Sequence, residues 1–216
     1  MLNRWRVFVG CLVLALGVFV YPGQGQADDF REGAAKFIQS LADRAISTLT
    51  VQGITKSERR ERFRSFLNED FAVNTIGKWV LGKYWNQANE TQQSEYLKLF
   101  ENLLVVTYAD RFADYKGEKL SVLDTLVKDG VDVVVYTQID GPDSPEPLKI
   151  DWRVRAKEGK YKIVDVMVTG ISMGQTQRSE FASVIHKHGG DIDKFIAEMR
   201  DHENFGSKNT EQSRAK

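Results

Sequence analysis

Tyr161 to Phe181, YKIVDVMVTGISMGQTQRSEF, is the stretch on which the fold turns. It opens as a β-strand rich in Ile and Val, with Val164, Val166 and Val168 sharing one face under a two-residue period. Asp165 takes the other face. Gly170 breaks the strand, and polar Gln175-Thr176-Gln177 leads into a helix with Arg178, Phe181, Val184 and Ile185 at helical spacing. The same residues spell Gly170-Ile171-Ser172-Met173-Gly174, which matches G-x-S-x-G, the nucleophile elbow of serine hydrolases. Ser172, then Asp191 or Asp201, then His202 even keeps the hydrolase order. Three features oppose that reading. A hydrolase elbow follows several parallel βα units, whereas the strands upstream of this one are antiparallel. No glycine-rich oxyanion loop precedes it, and His202 lies at the edge of a polar tail with nothing to hold it. Ser172 is therefore expected to be structural, with both glycines permitting a tight strand-to-helix turn.

Outward from this stretch, the two-residue period extends back to Leu120. Leu148 to Glu158 alternates cleanly, Leu148, Ile150, Trp152 and Val154 against Lys149, Asp151, Arg153 and Arg155. Val131 to Asp140 carries Val131, Val133 and Val135 on one face, and Asp129-Gly130 is a hairpin signal joining it to Leu120–Lys128. Four consecutive strands make an antiparallel sheet with one face solvated and one needing cover.

The helices supply it. Asp28 to Val51 has an apolar stripe of Phe30, Phe37, Leu41 and Leu49, and Gly53 ends it. Thr55-Lys56-Ser57-Glu58 opens a second helix, with Phe63, Phe66 and Leu67 inward and Arg59, Arg60, Arg62 and Arg64 on a solvated face. Phe71 to Leu81 is a short helix stopped by Gly82, followed by a loop at Lys83-Tyr84-Trp85. Thr91 can cap a long helix from Gln92 to about Tyr115, whose two adjoining stripes suit a helix laid flat across the sheet or lining a cavity. Downstream, Gly189-Gly190 ends the helix from Arg178, and Asp191 caps a last one with Ile192, Phe195, Ile196 and Met199. Helices followed by a meander give an α+β fold. The expected architecture is a cystatin-like, NTF2-like cone, with helices across the concave face of a curved four-stranded sheet and an apolar cavity between.

The chain's start reads as a leader. Met1 to Arg6 carries two arginines and no acid, and Val7 to Tyr21 is an apolar run of 15 residues, shorter than the roughly 20 of a spanning helix. Gly25 and Ala27 fit the small positions of a signal peptidase site, so secretion with cleavage after Ala27 is expected. The mature domain would span residues 28–202, with residues 203–216 a disordered tail. Cys11, the only cysteine, would leave with the leader, so no disulfide is available. Beyond residue 27 there are 28 basic and 30 acidic residues, a balance that argues against nucleic acid as a partner.

Nothing in the remaining residues demands catalysis or a cofactor. His186 and His188 point about 160° apart on a helix, which is wrong for a shared metal. Asp132, Asp151 and Asp165 could include the general base of an NTF2-like isomerase, but alternation sets Asp132 and Asp151 opposite the apolar rows, and Asp165 is better read as accepting hydrogen bonds from backbone or Arg178. What stands out is large apolar side chains, Trp79, Tyr84, Trp85, Phe112, Tyr115 and Trp152, beside the valine strands. A carrier of an apolar ligand has this composition.

Val80-Leu81-Gly82-Lys83-Tyr84-Trp85, the Tyr96–Tyr115 helix, Asp151-Trp152, Tyr161-Lys162-Ile163-Val164-Asp165-Val166, Gly170-Ile171-Ser172 and Arg178-x-x-Phe181 together resemble the MlaC (toluene-tolerance) family. The likeness runs from about Phe30 to Arg200. It implies a non-enzymatic periplasmic phospholipid carrier that shuttles lipid between an outer-membrane lipoprotein–porin complex and an inner-membrane ABC transporter with an MCE-domain subunit, maintaining outer-membrane lipid asymmetry. Thr176-Gln177 stands where the family usually has Asn-Tyr, and Trp152 and Val164 replace frequent tyrosines. A hopanoid-associated branch shares the architecture, so phospholipid and hopanoid both stay open. The expected lipid-contacting residues are Trp79, Leu81, Tyr84, Leu103, Val133, Val135, Ile150, Trp152, Val164 and Val166.

Overall fold

The computed structural model describes residues 24–157 and 159–201. Residues 1–23 of the expected leader, His202 and the expected tail lie outside the described residues. In chain order come α1 (Gln24–Leu49), α2 (Lys56–Asp70), α3 (Val73–Leu81), a 3-10 turn (Gly82–Asn86), α4 (Glu90–Tyr108) and a second 3-10 turn (Ala109–Asp114). The sheet follows, with β1 (Lys119–Lys128), β2 (Asp132–Asp140), β3 (Leu148–Lys157), β4 (Lys160–Val168) and a two-residue β5 (Ile171–Ser172). Helices α5 (Met173–Lys187) and α6 (Ile192–Asp201) complete the described chain.

The sheet is an antiparallel meander in sequential order, β1 to β5. The expected four strands are present, and Ile171-Ser172 adds a short fifth against Met167 and Val168. Two turns use paired left-handed residues: Asp129 and Gly130 at φ 54° and 69°, and Thr169 and Gly170 at φ 49° and 81°. Both central residues at positive φ match the strand twist, as a two-residue hairpin requires. Two bulges reset the alternation, one at Leu123 between the pairs Val122–Thr137 and Asp124–Tyr136, the other at Val164 between Val154–Ile163 and Arg153–Asp165. The second corrects the expected face. Val166 and Val168 share their side with Ile163 and Tyr161, whereas Val164 is the inserted, unpaired residue.

In register, the inner face therefore reads in rows across the strands. Val127, Val133, Val154 and Ile163 form one row, and Thr125, Val135, Trp152 and Val166 the next. Val122, Thr137, Ile150, Val168 and Ile171 follow, then Leu120, Ile139 and Leu148.

Helix α1 covers this face, lying against β1, β2 and β3. Arg31 ties it to the edge strand through Thr125, with Nη2 donating to the carbonyl at 2.8 Å and Nε to Oγ1 at 3.2 Å. Tyr161 stacks on Phe30 and Phe37, centroids 6.2 and 5.8 Å away. Gly33 makes room for it: a Cβ there would lie 1.9 Å from the Tyr161 hydroxyl. The helix expected across the sheet, Gln92 to Tyr115, is shorter and lies elsewhere. It starts at Glu90 under an Asn89–Gln92 capping box rather than a Thr91 cap, ends at Tyr108, and packs on α2, α3, α6 and the 3-10 turn after it. Lys83-Tyr84-Trp85 is likewise not a loop but part of a 3-10 turn.

Two apolar cores result. One joins α1 to the sheet through Ala34, Ile38, Leu41, Leu49, Val133, Val135, Val154 and Ile163. The other is helical, built on Tyr96, Phe100, Phe181 and Phe195, whose rings meet at centroid distances of 5.0–6.4 Å. Phe63 and Phe71 pack against both. The α2 arginines brace this arrangement, so they are not the solvated face their spacing suggests. Arg59 and Arg62 donate to the Leu49 and Thr48 carbonyls at the end of α1, Arg60 pairs with Asp110, and Arg64 with Glu101. Capping orphan carbonyls with guanidinium groups favours the helix terminus.

Candidate functional site

The inner face of the sheet grades from closed to open. Val133, Val154 and Ile163 have no exposed surface, Trp152, Val166, Ile150 and Val168 are half-buried, and Leu148 and Ile171 are 43% and 59% exposed. Half-buried Leu120, Val122 and Ile139 widen the apolar strip on the β1–β2 side. Strand period two had pointed to β2 and β3; Leu120 and Val122 were obscured because the bulge at Leu123 breaks the alternation of β1.

The one buried polar side chain on this face is satisfied internally. Thr137 donates its hydroxyl to the Ile150 carbonyl at 2.5 Å and accepts from the Trp152 indole N–H at 3.1 Å. With its only donor engaged, Trp152 presents carbon to whatever lies over the sheet.

The expected contact residues divide among these surroundings. Val133 and Val135 are sealed beneath α1, while Ile150, Trp152 and Val166 lie on the half-open part of the same face. Val164 stands at the bulge, off that row. Leu81 and Tyr84 are buried in the helical core, and Leu103 packs against it. Trp79 is 43% exposed beneath the Arg178 guanidinium, 5.3 Å from its ring. The structure thus brings Val133, Val135, Ile150, Trp152 and Val166 together and sets Trp79, Leu81, Tyr84 and Leu103 on the helical side.

The G-x-S-x-G stretch is a structural joint. Ser172 donates its hydroxyl to Asp165 Oδ2 at 2.6 Å and accepts the Gln175 N–H at 3.0 Å, which makes it the N-cap of α5. Its backbone is ordinary extended chain, φ −65° and ψ 122°, unlike a strained elbow. Asp165 also accepts the N–H groups of Val166 and Gly174, as expected of it, but Arg178 goes instead to the Trp79 carbonyl at 2.8 Å. Gly174 is needed for closeness, since a Cβ there would lie 2.8 Å from the Trp79 ring.

The aspartates offered for isomerase chemistry all face away from the apolar strip. Asp132 is clasped by Arg153 and Arg155, Asp165 is spoken for, and Asp151, whose carboxyl burial pushes up, pairs across the sheet with Tyr136 and Met167. No group of three or more His, Cys, Asp or Glu among the described residues could hold a metal ion. His188 meets Glu198 at 2.5 Å between α5 and α6, apart from His186. No described helix is long and apolar enough to cross a membrane.

A family model described as MlaC protein matches residues 39–201, nearly all of the described domain. The chain belongs to the MlaC family. Among MlaC-family proteins it is 22% identical over 170 residues to the intermembrane phospholipid transport system binding protein MlaC of Haemophilus influenzae, covering 76% of this chain and 78% of that protein. It is 25% identical over 114 residues to toluene tolerance protein ttg2D of Pseudomonas putida, about half the length of each. The fold is shared with the phospholipid-binding protein from Ralstonia solanacearum solved in complex with a phospholipid. That match has a TM-score of 0.67 and 22% identity, and covers 77% of this MlaC-family chain and 98% of the other. The expected MlaC-type arrangement of helices on an antiparallel sheet is therefore what this chain has.

Proposed function

We propose that this protein is a periplasmic phospholipid carrier, the soluble component of an intermembrane transport system that maintains outer-membrane lipid asymmetry. The observation that carries the reading is the graded inner face of the sheet, an apolar strip whose buried Thr137 hydroxyl is engaged within the sheet and which opens from Val166 and Ile150 toward Leu148 and Ile171. Acyl chains belong between that strip and the helical side, with the head group outside. Two chains of about 15 methylenes each would cost about 24 kcal/mol if left in water, at about 0.8 kcal/mol per methylene. Adhesion to surface arginines returns about 1 kcal/mol each, so burial decides. The proposed partners are an inner-membrane ABC transporter with an MCE-domain subunit and an outer-membrane lipoprotein–porin complex.

Solvent extraction of the folded protein and lipid mass spectrometry test this. Recovery of stoichiometric phospholipid is expected. Hopanoid in its place would move the protein to the hopanoid-associated branch, and protein that emerges free of lipid from lipid-replete cells would sink the carrier reading.

A further inference from the structure

The turn from β5 into α5 and the corner where α3 meets the 3-10 turn form one neighbourhood. The Trp79 ring abuts Gly174 in the first turn of α5, and the Thr169 N–H bonds the Lys149 carbonyl at 2.9 Å, placing Leu148 beside the turn that leads into Ile171. Trp79, Leu148 and Ile171 are three of the large apolar side chains that the fold leaves exposed. Cations stand on the rings around them: Arg178 over Trp79, Lys78 over Trp85 and Lys83 over Tyr84, each 5.0–5.3 Å from the centroid. Acids are missing from the same segments. None occurs from Phe71 to Asn89 or from Val166 to Ser179, although the chain as a whole is charge-balanced. Asp165, which the Gly174 N–H reaches, is occupied by Ser172 and backbone.

We propose that this corner docks on the surface of an anionic phospholipid bilayer, with Trp79, Leu148 and Ile171 entering the interface and Lys78, Lys83 and Arg178 facing the phosphates. Tryptophan with flanking lysines is the composition that settles at a head-group boundary, and the cationic segments 71–89 and 166–179, which hold no acid, complement a negative surface. The corner sits at the open end of the apolar strip, so a docked molecule would present that end to the membrane. The proposal rests on the carrier reading for its purpose, but its test reads docking and not cargo.

Flotation of the full protein with vesicles of mixed phosphatidylglycerol and phosphatidylcholine, compared with pure phosphatidylcholine, is the test. Binding to the anionic vesicles that weakens with added salt is expected. Ile171→Glu should lower the partition coefficient about tenfold and Lys83→Glu roughly fivefold or more. Both side chains are exposed, so circular dichroism of the variants should match the parent; Ile171→Ser serves if Ile171→Glu misfolds. Lipid extracted from the Lys83→Glu variant, whose side chain lies off the apolar strip, reports cargo separately and should be unchanged. Absence of flotation, equal flotation on neutral vesicles, or variants that float like the parent would each overturn the proposal. Variants that float normally yet fail to exchange lipid with native membrane fragments would assign the corner to a protein partner and overturn it too.

Discussion

Asp132 has no exposed surface although it sits on the solvent side of the sheet, because Arg153 and Arg155 fold over it. Burial pushes its carboxyl pKa up, but the hydrogen bonds and charges of the two guanidiniums outweigh that and hold it below the ordinary carboxylate value. A depressed folded-state pKa means that the stabilisation is complete above the unfolded value of about 4 and is lost as pH falls through the folded one. Asp132→Ala should therefore cost about 2 kcal/mol at neutral pH, and the gap to the parent should close on acidification below about pH 4. Urea unfolding at the two pH values reads both. Ser172→Ala removes an N-cap and should cost about 1 kcal/mol while leaving the lipid content unchanged. The parent should also resist labelling by a fluorophosphonate probe, and modification at Ser172 would return the hydrolase reading. Single residues with local partners were legible beforehand. Thr55 caps α2 through the Glu58 N–H, and Asp129-Gly130 turns the first hairpin. Val164 was not, because a bulge is fixed by how two strands meet and leaves the period-two pattern of one strand intact on either side.

Gly33 shows what the elements demand of each other. An alanine in a helix interior ordinarily gains about 1 kcal/mol over glycine, yet here its Cβ would fall 1.9 Å from the Tyr161 hydroxyl and 2.7 Å from Cζ. Tyr161 cannot swing aside easily, since Phe30 and Phe37 both stack on it. Gly33→Ala should accordingly lower stability by about 1–3 kcal/mol, and Tyr161→Leu in that background should restore part of it, as thermal unfolding would show. A variant more stable than the parent would mean that α1 is not seated on the sheet as described. The seating of helices is also where sequence patterning runs out. The stripes of α1 and α4 each say that a face is buried, but not against what. Both suit a sheet, and only the packing reveals that α1 takes it while α4 joins α2, α3 and α6. The α2 arginines fail for the same reason, as their partners are carbonyls of another helix and acids of α4 and the turn after it.

At the scale of the whole molecule, Phe63 and Phe71 bridge the sheet core and the helical core, and the inner face of the sheet ends in half-buried side chains where the carrier proposal puts the acyl chains. If the proposed acyl-chain site lies there, Val166→Trp, on the half-buried row beside Trp152, should take up its space and expel lipid from a protein that still unfolds cooperatively, because a lipid site would have room that a packed interior lacks. A variant that remains folded with its full lipid load would remove Val166 from the lining, and one that cannot fold would indicate solid packing there. The placement of α1 has a further consequence for how the chain matures. Arg31 and the threonine that anchors it are 94 positions apart, and α1 also needs the tyrosine of β4, farther still. A polypeptide extended from its N-terminus thus makes the lid of its sheet core first and the surface it covers last. Closing so long a loop is slow, and although α2 gives the end of α1 an early partner, the sheet that α1 covers forms later. The sheet core is therefore the last to close, since the lid precedes by a long stretch of chain the strands it must cover.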